Sequence, residues 1–343
     1  MIALITGASG QDGSYLSELL LSLGYQVHAC IRHSSVITTP RIEHLKNNSN
    51  FFVHDLDLTD SYSILEVVSK VSPNEIYNLG AQSHVKVSYS TPEFTTNTNA
   101  LGTLRMLEGI KKLGIESKIK FYQASTSELF GSANASTQNE LTPFSPRSPY
   151  GISKLYAYWM VVHHRDAYGM FASNGILFNH ESPRRPQNFV SRKISVGVSR
   201  IIRGESKFIS LGALDVRRDW GHAKDYVKAI HSILNHSKPE DFVIATGQSH
   251  SVREFVESAF KVVDIDIKWS GSGVDEIGLD ANTGKTLIKV DPKFFRAGIE
   301  TSLCGDASKA KRALGWRHEI SFEDLVKEMV LHDLDEKNNT SKY

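Results

Sequence analysis

Tyr150 and Lys154, four residues apart, carry the sharpest chemical signal in this chain. On a helix that spacing puts both side chains on one face. A phenol ionises near pH ~10, too high for a base at neutrality, but an ammonium held close stabilises the phenolate and draws its pKa towards the working range. Such a tyrosine can take the proton of a hydroxyl group while the same carbon gives up a hydride to an acceptor. Thr126 follows a strand-like run through Ile119, Phe121 and Tyr122 and is placed to hydrogen-bond that hydroxyl and the ketone it becomes. Glu128 extends the chemistry. Once a hydroxyl has become a ketone, the proton on the neighbouring carbon is acidic. A carboxylate can abstract it and, now protonated, assist departure of a β-hydroxyl as water. Oxidation, elimination and return of the hydride amount to one redox-neutral dehydration. Taken alone, Glu128 is also consistent with a helix cap or an arginine partner. With 12 tyrosines in the chain, about one chance Tyr-x-x-x-Lys match is expected. The surrounding elements must discriminate.

Those elements begin at the first residue. Residues 1–6 form a continuous apolar strand pattern, followed by Gly7, Ala8, Ser9, Gly10, Gln11, Asp12 and Gly13 and then by Leu16, Leu19, Leu20 and Leu23 at helical spacing. Strand, glycine turn and helix is the order in which a backbone approaches a pyrophosphate while a helix N-terminus offers N–H groups and a positive dipole end. The spacing, Gly-x-x-Gly-x-x-Gly, differs from the commoner Gly-x-Gly-x-x-Gly, and the position directly after the first strand is what makes it a dinucleotide signal. A second strand over 25–31 ends at Arg32, His33, Ser34 and Ser35, not at the acidic residue an NAD site uses for its ribose. A cation with hydroxyls suits a 2′-phosphate and favours NADP; a solvated strand-end arginine is the other reading. After a third strand over 51–53 come Asp57 and Leu58, where an aspartate commonly receives an adenine amino group or is simply solvated. The fourth strand, 75–79, runs into Gly80, Ala81, Gln82 and Ser83, small enough to let the backbone pass close to a ribose and pyrophosphate. His84 beside them reads more simply as a structural histidine. A helix over 94–113, with Leu101, Leu104 and Leu107 on one stripe, leads to the strand ending at Ser125. Five alternations of strand and helix predict an α/β fold, a doubly wound parallel sheet of the Rossmann type.

Beyond Tyr156 and Ala157 a strand over 173–178 leads into Asn179, His180, Glu181, Ser182, Pro183, Arg184 and Arg185. His180 lacks a second histidine at ligand spacing, so no metal is expected. Arg184 and Arg185, Arg192 and Lys193, Arg217 and Arg218, with Arg253 and Arg296, are grouped in a chain whose formal net charge is only +1. Forked guanidinium donors in loops after strands suit a diphosphate, while the overall balance gives no reason to expect nucleic acid or an anionic membrane as partner. Ile194, Val198 and Ile201 predict one helix, residues 219–227 the start of another, 242–245 a strand, and Val252, Phe255, Val256, Ala259 and Phe260 an amphipathic helix. No element is predicted for 270–290; short helices are expected before Trp316 and through Phe322, Leu325, Val326 and Met329. The expected division is 1–178, a dinucleotide-binding domain with the Thr/Glu/Tyr/Lys set, and 179–343, a smaller mixed α/β substrate-binding domain with some segments returning to the first. No apolar run approaches the roughly 18 residues of a membrane span, and Met1 leads straight into a strand, so a cytoplasmic protein is expected. Two cysteines, Cys30 and Cys304, are too few for a disulfide framework or a structural zinc site and are expected as buried thiols.

With these residues in view, the chain resembles the GDP-mannose 4,6-dehydratases, members of the extended short-chain dehydrogenase/reductase family, along nearly its whole length. The matching stretches are ITGASGQDG (5–13), YNLGAQSHV (77–85), FYQASTSELFG (121–131), PRSPYGISK (146–154), GILFNHESPRR (175–185) and RDWGHAKDYV (218–227). The resemblance implies NADP held tightly and recycled, Thr126, Glu128 and Tyr150 as a catalytic trio, and Lys154 bridging Tyr150 and the nicotinamide ribose. It implies further cofactor contacts from Gly7, Ser9, Gly10, Gln11, Asp12 and Gly13, from Arg32, Asp57 and Leu58, from Leu79, Gly80, Ala81 and Ser83, and from Tyr122, His180 and Arg185. Around a GDP-sugar it implies Ser83, Ser125, Glu128, Asn179, Val190, Lys193, Arg218 and Arg296. It also implies a homodimer or homotetramer, the tetramer using the loop after the second strand. Three stretches depart from the family. Arg32-His33 stands where two arginines are usual, and Pro186-Gln187-Asn188 where Gly-Glu-Thr is usual. The late Arg-Pro-x-Glu-Val becomes Arg296-Ala297-Gly298-Ile299-Glu300, displacing the carboxylate by one position. The leading expectation is dehydration of GDP-mannose to its 4-keto-6-deoxy product. A GDP-manno-heptose is the alternative substrate, and a nucleotide-sugar reductase or epimerase of the same fold is a further alternative.

Overall fold

Short apolar runs and amphipathic segments alternate through the first half of the chain, and the runs buried on both faces become parallel strands. The computed structural model, which describes residues 1–34, 39–131, 136–294 and 303–335, places β1 (Ile2–Thr6), α1 (Gln11–Ser22), β2 (Gln26–Ile31), β3 (Phe51–Asp55), α2 (Ser61–Val71) and β4 (Glu75–Asn78) first. Next come α3 (Val85–Ser90), α4 (Pro92–Thr96), α5 (Gly102–Lys112), β5 (Lys120–Thr126), α6 (Pro149–Tyr168) and β6 (Phe171–Leu177). The second half carries β7 (Asn179–Glu181), α7 (Val190–Ile202), β8 (Ile209–Leu211), β9 (Arg217–His222), α8 (Ala223–Leu234), β10 (Phe242–Ile244), β11 (Ser249–Ser251) and α9 (Val252–Lys261). It ends with β12 (Ile267–Ser270), β13 (Ile277–Asp280), β14 (Thr286–Val290), α10 (Ser308–Ala313) and α11 (Phe322–Asp335).

Two units divide the chain. The first comprises 1–178, 223–246 and 305–317. Its sheet, seven-stranded among the described residues, runs β10-β6-β5-β4-β1-β2-β3, and every neighbouring pair is parallel. Between β1 and β4 the strand order changes direction, and in such sheets ligands bind beyond the carboxyl ends at that switch point. One face of the sheet packs Leu16, Leu20, Val27, Tyr77, Tyr226 and Ile230. The other packs Leu4, Ile64, Val68, Phe121 and Val161.

The second unit comprises 179–222, 247–304 and 318–343. Its described residues form a three-stranded sheet, β11-β9-β7, and a four-stranded sheet, β12-β13-β14-β8, over a core that includes Ile194, Val198, Trp220, Phe255, Phe260 and Phe322.

Three local outcomes differ from the sequence expectation. The helix over 94–113 is broken: α4 passes through a π-helical turn, Asn97–Leu101, before α5 begins. Residues 219–222 are strand rather than helix, because β9 hydrogen-bonds to both β11 and β7 and the helix starts only at Ala223. The polar stretch 270–290, for which no element was predicted, contains β13 and β14, antiparallel with a register shift between Gly278 and Leu279.

Within the first unit, Asp241 fastens α6 to the sheet edge. Its carboxylate accepts hydrogen bonds from Arg165 Nη1 and Nη2, both at 2.9 Å, from the Tyr158 hydroxyl at 3.0 Å and from the Asn174 backbone N–H at 2.9 Å. Removing one partner of a largely buried ion pair leaves the other uncompensated. Asp241→Ala is therefore expected to lower unfolding stability by about 3–5 kcal/mol, measured by urea denaturation; a loss below about 1 kcal/mol, the range of an exposed pair, would contradict this role.

Candidate active site

The turn after β1 is built by backbone approaching backbone. Gly7 has φ +68°, and a Cβ there would lie 2.8 Å from both the Cα and the N of Gly80, so glycine is required by conformation and by space. A Cβ on Gly13 would overlap the carbonyl oxygen of Gly7 and lie 2.6 Å from the Ala8 Cα. Gly10 occupies the N-cap of α1 with no side-chain cap, leaving the first N–H groups of the helix for an external acceptor. Thr6 Oγ1 donates to Asn78 Oδ1 at 2.6 Å and accepts from the Gly80 N–H at 3.0 Å, pinning the β4 loop to the turn. A Cβ on Gly80 would also meet Leu58 Cδ1 at 2.9 Å. Gly7, Gly13, Leu58, Leu79 and Gly80, proposed from sequence as cofactor contacts, are thus brought together. Asp57 folds its carboxylate onto Thr59, accepting from its N–H and its hydroxyl, both at 2.8 Å. Arg32 is exposed at the end of β2, and neighbouring His33 lies 3.3 Å from Asp55. Arg41, which sequence reasoning passed over, returns to the turn and donates to the Ser9 carbonyl at 3.4 Å.

The Thr/Glu/Tyr/Lys set gathers at the carboxyl end of β5. Thr126 Oγ1 accepts from the Glu128 N–H at 3.2 Å, so the threonine caps the short 3₁₀ turn Ser127–Leu129. Its own hydroxyl proton is not used in that bond. Ser148 Oγ caps α6 by accepting from the Gly151 N–H at 3.0 Å. A Cβ on Gly151 would lie 2.9 Å from the Glu128 carbonyl oxygen, so the residue after Tyr150 abuts the turn that carries Glu128. Tyr150 is 8% exposed and Lys154 is 3% exposed. Lys154 Nζ donates to the Ala124 carbonyl at 2.9 Å, and burial pulls its pKa down to about 8.

Two groups missing from the sequence reading hold this cluster. Ser153 Oγ donates to the Tyr150 carbonyl at 2.7 Å and accepts from Asn99 Nδ2 at 3.1 Å. Asn99 in turn donates to the Gln82 carbonyl at 3.0 Å and accepts from the Gln82 N–H at 2.8 Å. The π-helical turn therefore bridges the β4 loop and the helix of Tyr150. The only advance signal was Ser153 itself, one turn beyond Tyr150. His84 proves structural in one respect: its Nδ1 accepts from the Val87 N–H at 3.3 Å, capping α3. Tyr122 has its phenol against Gly175, where a Cβ would overlap the hydroxyl. Burial raises that phenol well above its ordinary pKa, so it stays neutral. The buried Ser125 hydroxyl has no hydrogen-bond partner among the described residues.

In the second unit, Asn179 and His180 lie on β7, Val190 and Lys193 on the first turns of α7, and Arg218 on β9. Lys193 Nζ lies 4.1 Å from the Phe294 ring centroid. Arg218 Nη1 donates to the Arg217 carbonyl at 2.8 Å. Arg185 follows in the loop after β7. Arg296 falls outside the described residues, as do Ser35 and Ile299. Among the described residues no group of three His, Cys, Asp or Glu side chains could hold a metal ion, and no helix is long and apolar enough to cross a membrane.

An uncapped helix N-terminus and glycine backbone where any side chain would intrude fit a dinucleotide. Joined to Tyr150 and Lys154 on one helix and to Glu128 in the turn against that helix, they suit a nucleotide-sugar 4,6-dehydratase of the short-chain dehydrogenase/reductase class. A family model described as GDP-mannose 4,6 dehydratase matches residues 4–329. The chain is 54% identical to the GDP-mannose 4,6-dehydratase of Sinorhizobium fredii, over 97% of this chain and 96% of that protein. It is 53% identical to the Homo sapiens GDP-mannose 4,6 dehydratase, over 97% and 91% respectively. The chain belongs to the GDP-mannose 4,6-dehydratase family. Among solved structures it resembles a dTDP-glucose 4,6-dehydratase from Streptomyces venezuelae with NAD bound, at TM-score 0.81 and 21% identity over 97% of this chain and 96% of that one. It is also similar to a UDP-glucose 4-epimerase from Bifidobacterium longum, at TM-score 0.80 and 21% identity over 98% and 99%. These last two likenesses concern the fold.

Lys154 generates a direct test. Burial disfavours its charged form, so in the ligand-free chain it titrates near pH 8, whereas an ordinary lysine does so above about 10. Between those values the unfolded chain holds the extra proton, so the contribution of Lys154 to stability rises with pH across that window. NMR of ¹³Cε-labelled lysine, assigned with Lys154→Met, is expected to show one midpoint near 8; a midpoint above about 10 would remove the burial argument.

Proposed function

We infer that this chain converts GDP-mannose to GDP-4-keto-6-deoxymannose with loss of water. The observation that carries the reading is Glu128, one short turn beyond Thr126 and with its carbonyl against Gly151 beside Tyr150. A hydroxyl-oxidising pair with a carboxylate set next to it suits a reaction in which oxidation only prepares an elimination. The GDP-mannose dehydratases that share about half of its residues supply the sugar.

The residues of the first unit divide the work. Tyr150 accepts the C4 hydroxyl proton, and the Lys154 ammonium, uncomfortable in its buried position, is relieved by the phenolate it stabilises. Thr126 donates its uncommitted proton to the oxygen that becomes the ketone. Glu128 removes the C5 proton acidified by that ketone and returns a proton to the C6 hydroxyl as it leaves as water. A bound nicotinamide would supply the acceptor for the C4 hydride and its donor at C6, and the proton that Tyr150 took from the C4 hydroxyl is the one C5 regains. The turn from Gly7 to Gly13, with Asp57, Leu58, Leu79, Gly80, Ala81, Ser83 and Tyr122, would hold that cofactor, with His180 and Arg185 assigned to it by family resemblance. Arg32, standing in sequence at the end of β2 where an NAD site would carry an acidic residue, favours NADP over NAD. Ser83, Ser125, Asn179, Val190, Lys193, Arg218 and Arg296 are proposed for the GDP-sugar. A homodimer or homotetramer in the cytoplasm completes the reading; the exposed Ile152, Tyr156 and Trp159 of α6 offer an apolar face for a second copy. GDP-manno-heptose is not favoured, because the relatives are named for GDP-mannose, and Glu128 has no task in a plain reductase or 4-epimerase.

Glu128→Gln, offered GDP-mannose, is expected to lose dehydration by roughly 10²–10⁴-fold, the usual contribution of a general base. Mass spectrometry reads the loss of one water without net NADPH turnover. Undiminished water loss in that variant would sink the assignment, and C4 inversion or net cofactor consumption by the unaltered chain would favour the epimerase or reductase.

A further inference from the structure

Away from the Thr/Glu/Tyr/Lys set, the second unit buries a carboxylate to which the mechanism gives no task. Glu181, the last residue of β7, is 2% exposed. Its Oε2 accepts from Ser191 Oγ at 2.5 Å and lies 3.1 Å from Arg185 Nε. The contact with Arg185 is a charge pair without an aligned N–H bond. The Arg185 guanidinium carbon sits 3.7 Å from the centroid of the Phe189 ring. Phe189 precedes α7, and its carbonyl accepts the Lys193 N–H at 2.8 Å. The loop between is closed on itself: the Arg185 N–H donates to the Ser182 carbonyl at 3.0 Å and the Phe189 N–H to the Pro186 carbonyl at 3.2 Å.

Burying a carboxylate is costly unless a cation or hydrogen-bond donors compensate it, and here Arg185 and Ser191 face it. Phe189 covers one face of the Arg185 guanidinium and Glu181 faces its Nε edge, so the plane of the group is set before any ligand arrives. That leaves the terminal nitrogens as the fork that matches a phosphate. Through Ser191, the same carboxylate is tied to the first turn of the helix that carries Lys193.

We propose that Glu181 is a positioning residue: it orients Arg185 towards a phosphate-bearing ligand and links that orientation to the start of α7. The proposal rests on the reading above, in which Arg185 meets the nicotinamide dinucleotide. Calorimetric titration of the cofactor-stripped full chain with NADP⁺ tests it. Glu181→Gln is expected to weaken binding about tenfold, the size of one charge-assisted contact. Arg185→Ala should weaken it at least as much, and the double variant no more than Arg185→Ala alone, because the two act as one unit. At saturating NADP⁺, kcat of Glu181→Gln should return to within about twofold of the unaltered chain, a split that a general packing defect would not give. Phe189→Leu, which removes the stacking surface and leaves the charge pair, should weaken NADP⁺ several-fold with kcat kept, and it carries the test if Glu181→Gln fails to fold. Wild-type affinity in Glu181→Gln or in Phe189→Leu, or additive losses in the double variant, with Arg185→Ala impaired, would overturn the positioning role. Wild-type affinity in Arg185→Ala would overturn the assignment of Arg185 itself.

Discussion

A lysine ammonium packed away from water, held by a backbone carbonyl as its one hydrogen-bond partner among the described residues, is the constraint on which the first unit depends. Lys154 keeps a charge there only at the cost that lowers its pKa to about 8, and it is held by Ala124 at 2.9 Å. For that bond to form, α6 must lie close along β5. Gly151 permits the approach, since a Cβ would press on the Glu128 carbonyl. The same closeness that buries the lysine therefore sets the backbone next to Tyr150 against the turn that carries Glu128. A site arranged this way rewards negative charge: an anion brought close to the ammonium would restore part of what burial took from it.

The polar network beneath the site keeps that geometry from drifting. Asn78 joins Thr6, Thr103 and Gln123 in the middle of an otherwise apolar sandwich, and satisfied buried amides of this kind have one good arrangement and many poor ones. Asn99 performs the equivalent service one layer out. Its position in a π-helical turn matters, because the turn shifts the register of the helix by one residue and aims the amide at Gln82 and Ser153 together.

Much of this was legible in the residues. Gly7 and Gly80 were legible as close-approach glycines, read there as admitting a pyrophosphate and ribose, and the structure adds that their two backbones meet each other. Tyr150 and Lys154 were legible because helical spacing alone puts them on one face. Asn99 was not, since an α-helix and a π-turn draw on the same propensities and differ only in which partners the tertiary structure offers. Residues 219–222 misled for a related reason: they are strand because β7 and β11 lie on either side, a fact absent from their composition. β13 and β14 were hidden by polar, half-exposed positions that blur a period of two. Glu181, at the end of β7, and Arg185, in the loop after it, sit four apart where that spacing carries no helical meaning, and only the packing of Phe189 and Ser191 gives the pair significance. Arg296 lies beyond the described residues.

The chain passes from one unit to the other five times, after Phe178, His222, Thr246, Cys304 and Arg317. Neither unit is a contiguous stretch, and the first lacks its edge strand β10 and the helix α8 until more than two hundred residues have been made. A gene fragment encoding either unit alone would therefore not be a portable cassette. A lineage with this connectivity has no contiguous stretch encoding either unit to exchange through recombination, so the scaffold has to be inherited entire.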